Sequence, residues 1–272
     1  MKFAKINGIV IHYDDHGSEN ATGAVPTLVF SNSLGTDFRV WERLVVRLRD
    51  LIERPLRIVR YDKRGHGLSE APADPYVMND HVGDLAALLD HLEIEQAVIC
   101  GLSVGGIIAQ GLTARHPRRV SGLVLSDTAH KIGPPEMWND RIAKIRAGGI
   151  EALAEPILER WFSNELRHNQ PDELAGWRSM LVRTPVAGYL GTSAAIRDSD
   201  MTEAAQSIAV PTLCVVGDED GSTPPDLVRE LAGLIQGARF EVIEGAGHLP
   251  CVEKPDVLAE LMSGFLKENN LV

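Results

Sequence analysis

The fold is decided by one short stretch, Gly101-Leu102-Ser103-Val104-Gly105, which joins a predicted strand to a predicted helix. Ala97 to Cys100 are apolar, as in a buried strand, and Gly106 to Ala114 carry helical patterning. The G-x-S-x-G pattern is common by chance. At a strand-to-helix turn, however, it is typical of a nucleophile on a sharp, strained bend whose glycines avoid Cβ clashes. The sequence predicts a serine hydrolase in which Ser103 attacks an ester-type carbonyl, with a purely structural glycine turn as the alternative.

Strands and helices alternate on both sides of this turn. Short apolar, β-branched runs predict strands, and apolar residues at three- and four-residue spacing predict helices. The predicted strands are Phe3 to Ile6, Ile9 to Tyr13, Thr27 to Ser31, Arg57 to Tyr61, Ala97 to Leu102, Val120 to Asp127, Pro211 to Gly217 and Arg239 to Ile243. The predicted helices are Arg39 to Leu51, Val77 to Leu92, Gly105 to His116, Asp226 to Ile235 and Asp256 to Lys267. This order predicts an α/β fold with a mostly parallel, eight-stranded sheet flanked by helices.

The alternation stops between residues 134 and 209, where helical segments are punctuated by glycine and proline. We interpret this stretch as a helical cap insertion, and residues 1–133 and 210–272 as the core domain. Ligands of parallel sheets bind at the carboxyl edge, so the cap is expected to cover that edge. The sequence shows no internal repeats.

The composition limits which binding partners and which cellular compartment are expected for this protein. The 272 residues are 44% hydrophobic and carry a formal charge of −11, which argues against nucleic acid and anionic membrane surfaces. The N-terminus lacks the pattern of a secretory signal, and no apolar run is long enough to span a membrane, so we expect a cytoplasmic protein. The three cysteines lack C-x-x-C spacing and are interpreted as buried core residues rather than metal ligands or disulfide partners.

A serine hydroxyl needs a base, and the base needs an orienting acid. His248 is the predicted base because it lies in a glycine-rich loop directly after the last predicted strand. Asp220 is the predicted acid, in a turn after the preceding strand; Asp127, after the sixth strand, is the alternative acid. His66 precedes the serine in the chain and is expected to be structural, because in this arrangement the acid and then the histidine follow the serine.

The oxyanion that forms during attack needs hydrogen-bond donors already in place. One is predicted to be the backbone N–H of Val104. The second is expected from the loop after the third strand, Ser31 to Thr36, at the N–H of Leu34.

Four motifs together resemble the α/β-hydrolase family over the whole chain. They are Asp62-x-Arg-Gly-His-Gly-x-Ser, the turn at Ser103, Gly-x-x-Asp-x-x-Thr-Pro ending at Pro224, and Gly-x-Gly-His ending at His248. One departure is Asn32-Ser33, where many relatives carry His-Gly. Residues 28–37 and 127–138 further resemble 3-oxoadipate enol-lactonases, carboxylic ester hydrolases of the β-ketoadipate route of aromatic breakdown.

The resemblance implies hydrolysis of a small ring ester that bears a carboxylate, without cofactor or metal. Such a substrate needs a cation or donors in this acidic chain. Lys131, Trp138 and Arg141 at the start of the cap are the candidates, with Lys131 or Trp138 first; Arg178 and Arg183 lie further on. Rival interpretations are another small carboxylic-ester or carbon–carbon bond hydrolase, a cofactor-free perhydrolase, and a ligand-binding signalling receptor. The sequence does not fix the oligomeric state.

Overall fold

A single eight-stranded sheet organises the chain in the computed structural model, which describes residues 1–17 and 25–272. The strand order is β1-β2-β4-β3-β5-β6-β7-β8. Strand β2 is antiparallel to both β1 and β4, and every later pairing is parallel. The strands are β1 Lys2–Ile6, β2 Ile9–His16, β3 Thr27–Ser31, β4 Arg57–Tyr61, β5 Ala97–Leu102, β6 Val120–Ser126, β7 Thr212–Gly217 and β8 Arg239–Ile243. The predicted α/β fold with a mostly parallel sheet is confirmed.

Helices cover the sheet and also fill the chain between β6 and β7. The α-helices are α1 Glu42–Leu51, α2 Met78–His91, α3 Val104–Arg115, α4 Pro135–Gly148, α5 Ala154–Trp161, α6 Asn164–Asn169, α7 Pro171–Val182, α8 Val186–Arg197, α9 Thr202–Ser207, α10 Pro225–Leu234, α11 Pro250–Glu253 and α12 Pro255–Glu268. The elements between Pro134 and Ala209 are all helical. Within the described residues, none of these helices combines the length and the apolarity needed to cross a membrane.

The strand ends differ slightly from the prediction, for local reasons. Strand β2 continues three residues beyond Tyr13 because its last residues pair with β4, Asp15 opposite Val59 and His16 opposite Ile58. Strand β6 stops at Ser126 because Asp127 has a φ of +48°, which extended backbone cannot adopt.

The sheet core explains why the central strands are so apolar. Every residue of β3, β5 and β7 is buried, since helices cover both faces of the sheet. Strand β3 pairs with β4 on one side and β5 on the other, so the chain reverses its direction of growth between β3 and β5. The carboxyl ends at such a reversal open a crevice in which ligands bind. Ser31 ends β3 and Ser103 follows β5, so this crevice contains the predicted nucleophile.

Candidate active site

Ser103 occupies a strained position at the end of β5. Its φ of +57° and ψ of −121° are unusual for a residue with a side chain, and such backbone typically costs about 1–3 kcal/mol. Two hydrogen bonds hold the strained backbone: Ser103 N donates to Ser126 O (3.0 Å), and Thr128 Oγ1 donates to Ser103 O (2.6 Å). The bend ends the strand and starts α3 at Val104, so the serine lies at the sheet edge.

The glycines on each side are required by close backbone contacts. A Cβ on Gly105 would lie 2.0 Å from the carbonyl oxygen of Ser31, and one on Gly101 would lie 2.4 Å from the carbonyl oxygen of Gly105. Real Cβ atoms essentially never come within 3.0 Å of other heavy atoms. The G-x-S-x-G spacing therefore follows from packing of the turn against β3.

His248 and Asp220 meet beside the serine. His248 Nδ1 donates to Asp220 Oδ2 at 2.9 Å, and both side chains are buried. Thr223 Oγ1 also donates to Oδ2 (2.7 Å), and the backbone N–H groups of Ser222 and Thr223 donate to Oδ1. With Nδ1 bound in this way, the ring has Nε2 for a proton from Ser103, which lines the same cavity. The structure thus brings together the three residues predicted for the triad.

Asp127, the alternative acid, lies close to this pair but in a different state. One side-chain atom each from Asp127, Asp220 and His248 fall within 4.8 Å of one another. Burial raises the pKa of Asp127 well above its usual range, and repulsion from Asp220 raises it further. Burial also acts to raise the pKa of Asp220, but the charge of His248 and donated hydrogen bonds outweigh it and lower the pKa. The two shifts favour the ionised form of Asp220 and the protonated form of Asp127.

The two predicted oxyanion donors lie at the start of α3 and in the loop after β3. Val104 is the first residue of α3, so its N–H has no acceptor inside the helix. The N–H of Leu34 donates no hydrogen bond to any residue that the structure describes. Leu34 lines the same cavity as Ser103, as expected for the donor from the loop after β3.

Ser103, His248 and Leu34 line one cavity of about 300 Å³. The chain between β6 and β7 supplies most of the other lining residues. Those from this segment are Ile132, Met137, Trp138, Arg141, Arg160, Trp161, Tyr189 and Ile196. This part of the lining is therefore mainly aromatic and aliphatic, with two arginines.

Arg141 and Arg160 carry the charge of the cavity. Within residues 1–17 and 25–272, neither forms an ion pair with a carboxylate. Arg141 is half-buried and its guanidinium lies 4.7 Å from the centre of the Trp138 ring, while Arg160 is exposed. Burial raises the pKa of Tyr189, although the charges of both arginines act against that rise. The cavity can thus accept an anionic group.

The other basic candidates point elsewhere. Lys131 is one of the two residues predicted first to hold the substrate carboxylate or shield the ring. The structure places it on the surface, where Lys131 Nζ lies 3.2 Å from Asp200 Oδ2. The next residue, Ile132, lines the cavity instead. Arg178 forms a surface ion pair with Glu155. Arg183 lines a separate groove of about 570 Å³, and Ser103 is not among the residues that line it.

Trp138 does line the cavity, but its polar edge is already engaged. The indole Nε1 donates to the carbonyl oxygen of Ile132 at 2.6 Å, so the ring offers the cavity an apolar face and not a donor.

The alternative to His248 as the base, His66, is fully buried, and its Nδ1 lies 3.0 Å from the carbonyl oxygen of Arg64. It is not among the residues that line the cavity of Ser103.

Comparison with known proteins shows the family of the chain. The family model described as the alpha/beta hydrolase family matches residues 28–261. The chain belongs to the alpha/beta hydrolase family. It is 34% identical to 3-oxoadipate enol-lactonase 1 of Acinetobacter baylyi, over 93% of this chain and 91% of that protein, and 32% identical to 3-oxoadipate enol-lactonase 2 of the same organism, over 90% of each. The crystal structure of the enol-lactonase from Burkholderia xenovorans superimposes with a TM-score of 0.92 at 39% identity, covering 98% of this chain and all of that one.

Arg160, Trp161 and Tyr189 are among the cavity residues of this alpha/beta hydrolase that the sequence pattern did not indicate. The first two end helix α5, and their backbone carbonyls hold the triad loops. Gly221 N donates to Arg160 O (3.1 Å), and His248 N donates to Trp161 O (2.8 Å). The only sequence signal was the Arg-Trp-Phe run at the end of an amphipathic helix, which does not by itself indicate a place beside the triad.

Proposed function

We propose that this alpha/beta hydrolase hydrolyses 3-oxoadipate enol-lactone to 3-oxoadipate through an acyl-enzyme on Ser103, in the β-ketoadipate route of aromatic-compound catabolism. The observation that carries the proposal is the pair of arginines, Arg141 and Arg160, in the small cavity that contains the nucleophile. A chain of net charge −11 that has two arginines among the lining residues of one small cavity favours an anionic substrate. Similarity to enol-lactonases over nearly the whole chain supports the same substrate class.

The size and walls of the cavity suit a small ring. About 300 Å³ is at the lower end of the volumes of small-molecule sites, which argues against long acyl chains or polymers. The flat faces of Trp138 and Trp161 offer apolar contact to a five-membered lactone. Arg141, a half-buried residue of the cavity lining, would bind the substrate carboxylate by charge-assisted hydrogen bonds.

In the acylation step, Ser103 Oγ attacks the lactone carbonyl carbon while its proton passes to His248 Nε2. The N–H groups of Leu34 and Val104 stabilise the oxyanion of the tetrahedral intermediate. When the intermediate collapses, the ring C–O bond breaks and an enolate leaves. Because an enolate is a good leaving group, protonation by His248 is undemanding.

In the deacylation step, a water molecule loses a proton to the same histidine and attacks the acyl carbon. A second tetrahedral intermediate forms in the same oxyanion site, and Ser103 leaves with the proton held by His248. The enol of the product then tautomerises to the ketone. Asp220 remains ionised throughout and stabilises the imidazolium that forms in each step.

Residues 134–209 act as the cap in this proposal. They supply the aromatic wall and both arginines, whereas the core supplies the nucleophile, the base, the acid and the oxyanion donors. Chemistry and substrate selection thus come from different segments of the chain. Exchanging cap residues should therefore alter which ester is hydrolysed without removing esterase activity.

The deciding experiment is steady-state hydrolysis of 3-oxoadipate enol-lactone by the wild type and by Ser103→Ala, with 4-nitrophenyl acetate as a neutral comparison ester. We expect a much higher kcat/KM for the lactone, and loss of both activities in Ser103→Ala. Lactone hydrolysis that survives the substitution would refute the mechanism. A wild type that prefers the neutral ester would leave the mechanism standing but refute the substrate.

A further inference from the structure

Lys63 is a fully buried cation beside the crevice. It follows β4 by two residues, and its side chain donates from Nζ to the carbonyl oxygen of Ser33. Within the described part of the chain, no carboxylate lies within ion-pair distance of Nζ. Burying an ammonium group without an ion-pair partner is costly, so a specific use for it is expected.

The acceptor of this hydrogen bond belongs to the peptide unit of a predicted oxyanion donor. The carbonyl of Ser33 and the N–H of Leu34 are two ends of one planar, trans peptide group, so they point in opposite directions. A donor that fixes the carbonyl on the protein side therefore fixes the N–H on the cavity side. The same N–H has no acceptor in the described residues, whereas the carbonyl is heavily engaged.

Three donors converge on that carbonyl oxygen. Besides Lys63 Nζ, the side chain of Thr36 donates from Oγ1 at 2.9 Å and its backbone N–H donates at 3.3 Å. Asn32 donates from Nδ2 to the carbonyl and hydroxyl oxygens of Thr36, which orients the threonine hydroxyl towards Ser33. These contacts occupy Asn32-Ser33, where the sequence departs from the His-Gly of many relatives.

We propose that Lys63 is a positioning residue for the oxyanion hole: its ammonium holds and polarises the Ser33–Leu34 peptide so that the N–H of Leu34 is aimed at the oxyanion. Polarising a carbonyl withdraws electron density from the peptide nitrogen, which makes its N–H a stronger donor. This proposal rests on the serine-hydrolase part of the proposed function and is independent of the lactone substrate.

The negatively charged groups near Lys63 offset only part of the cost of burying its positive charge. Burial lowers the pKa of Lys63 to about 7, although the negative charges of Asp62 and Asp37 act to raise it. His66 and His81 also face the ammonium, and burial lowers the pKa of both well below the usual range, so they are neutral. Below about pH 7 the side chain is therefore mainly the charged ammonium, and its hydrogen bond is to the carbonyl of Ser33.

The test uses a covalent reaction that depends on the oxyanion hole but not on the acyl substrate. A neutral alkyl fluorophosphonate phosphorylates a serine hydroxyl with release of fluoride, and its transition state places a P–O oxygen in the oxyanion hole. We expect Lys63→Met to lower the second-order rate of labelling of Ser103 by about 10- to 100-fold. The value of kcat for ester hydrolysis should fall by a similar factor while KM stays within about twofold.

Two further variants separate positioning from general destabilisation. Thr36→Val removes a second donor from the same carbonyl and should lower the labelling rate in the same way, by a smaller factor. Tyr61→Phe is the matched control: it removes a buried hydrogen bond at the end of β4, between Tyr61 Oη and Ser31 Oγ (3.0 Å), without touching the Ser33–Leu34 peptide. Its labelling rate should equal that of the wild type. Lys63→Gln, which keeps a donor without the charge, should recover part of the rate.

Labelling of Lys63→Met at the wild-type rate would overturn the proposal, and so would an equal loss in Tyr61→Phe. If Lys63→Met does not fold, an unchanged rate in Thr36→Val overturns it instead. Failure of the proposed function gives a different result, because the wild type would then label no faster than Ser103→Ala.

Discussion

Replacing the carboxyl group of Asp220 by its amide should abolish most of the activity, whereas the same replacement at the neighbouring Asp127 should have little effect. Asp220 accepts two backbone N–H groups on Oδ1, so in Asp220→Asn the amide oxygen must stay there. The amide nitrogen then takes the place of Oδ2 and directs an N–H at His248 Nδ1. The ring can accept that hydrogen bond only by moving its own proton to Nε2, and in that tautomer it cannot take a proton from Ser103.

The expected cost follows from that change of tautomer. Loss of the base function by an acid-to-amide replacement in such triads lowers kcat about 10⁴-fold, which corresponds to about 5.5 kcal/mol of transition-state stabilisation. Asp127→Asn should change kcat by less than about tenfold, because burial and the charge of Asp220 raise the pKa of Asp127 and so favour its uncharged form, which the amide resembles. Its Oδ1 accepts the N–H of Gly217, so the new amide nitrogen takes the place of Oδ2, beside the hydroxyl of Ser126, which can rotate to accept a hydrogen bond from it.

The measurement is kcat on the enol-lactone at pH 7 for the wild type and both variants, with thermal unfolding to show that each is folded. Both variants remove one carboxyl and add one amide at adjacent buried positions, so each controls for the other. The reasoning is refuted if Asp127→Asn loses about 10³-fold or more while Asp220→Asn retains activity within about tenfold of the wild type. The ionised acid would then be Asp127.

Three further outcomes are expected. Arg141→Ala should raise the steady-state KM for the lactone about 10- to 100-fold, the value of one charge-assisted hydrogen bond, and leave the KM for a neutral ester unchanged. The surface variant Arg178→Ala should change neither KM. Gly105→Ala should lower the melting temperature by about 5–10 °C, since its Cβ would meet the carbonyl of Ser31, and an unchanged melting curve would contradict that packing. Asp127→Asn should be more stable than the wild type above about pH 4, because the pKa of Asp127 is raised in the folded protein. Ionisation of Asp127 in the unfolded chain then lowers the stability of the wild type by about 1.4 kcal/mol per pH unit, up to the pKa in the folded protein. A difference in stability between the two that does not grow with pH in denaturant titrations would argue against a raised pKa.

Much of the fold could be predicted because the apolar pattern repeats with little interruption. The buried strands β3, β5 and β7 are short apolar runs between glycine- or proline-containing turns, and their observed bounds differ from the prediction by at most one residue. The triad candidates were accessible for the same reason. Ser103, Asp220 and His248 each lie shortly after a strand, and the carboxyl ends of parallel strands meet at one edge.

The cap residues could not be predicted in this way, because their side-chain directions depend on tertiary packing. Between Asp127 and α4 the chain forms an irregular loop with no period to say which side chains face inward. Lys131 turns to solvent and pairs with Asp200 at the far end of the cap, while Ile132 turns into the cavity. The charge of Lys131 alone favoured it as a substrate-binding residue, because the sequence does not indicate that Asp200 is its ion-pair partner.

The end of helix α5 joins these two parts of the molecule. Its last carbonyls, Arg160 O and Trp161 O, accept hydrogen bonds from Gly221 in the acid loop and from the backbone of His248. A rigid outward movement of α5 would break both bonds and release the loops that hold the acid and the base together. Exchange of substrate and product is therefore expected to use other cap segments, while α5 stays with the core. Backbone amide exchange at Gly221 and His248 should accordingly remain slow during turnover, and rapid exchange there would show that α5 moves with the rest of the cap.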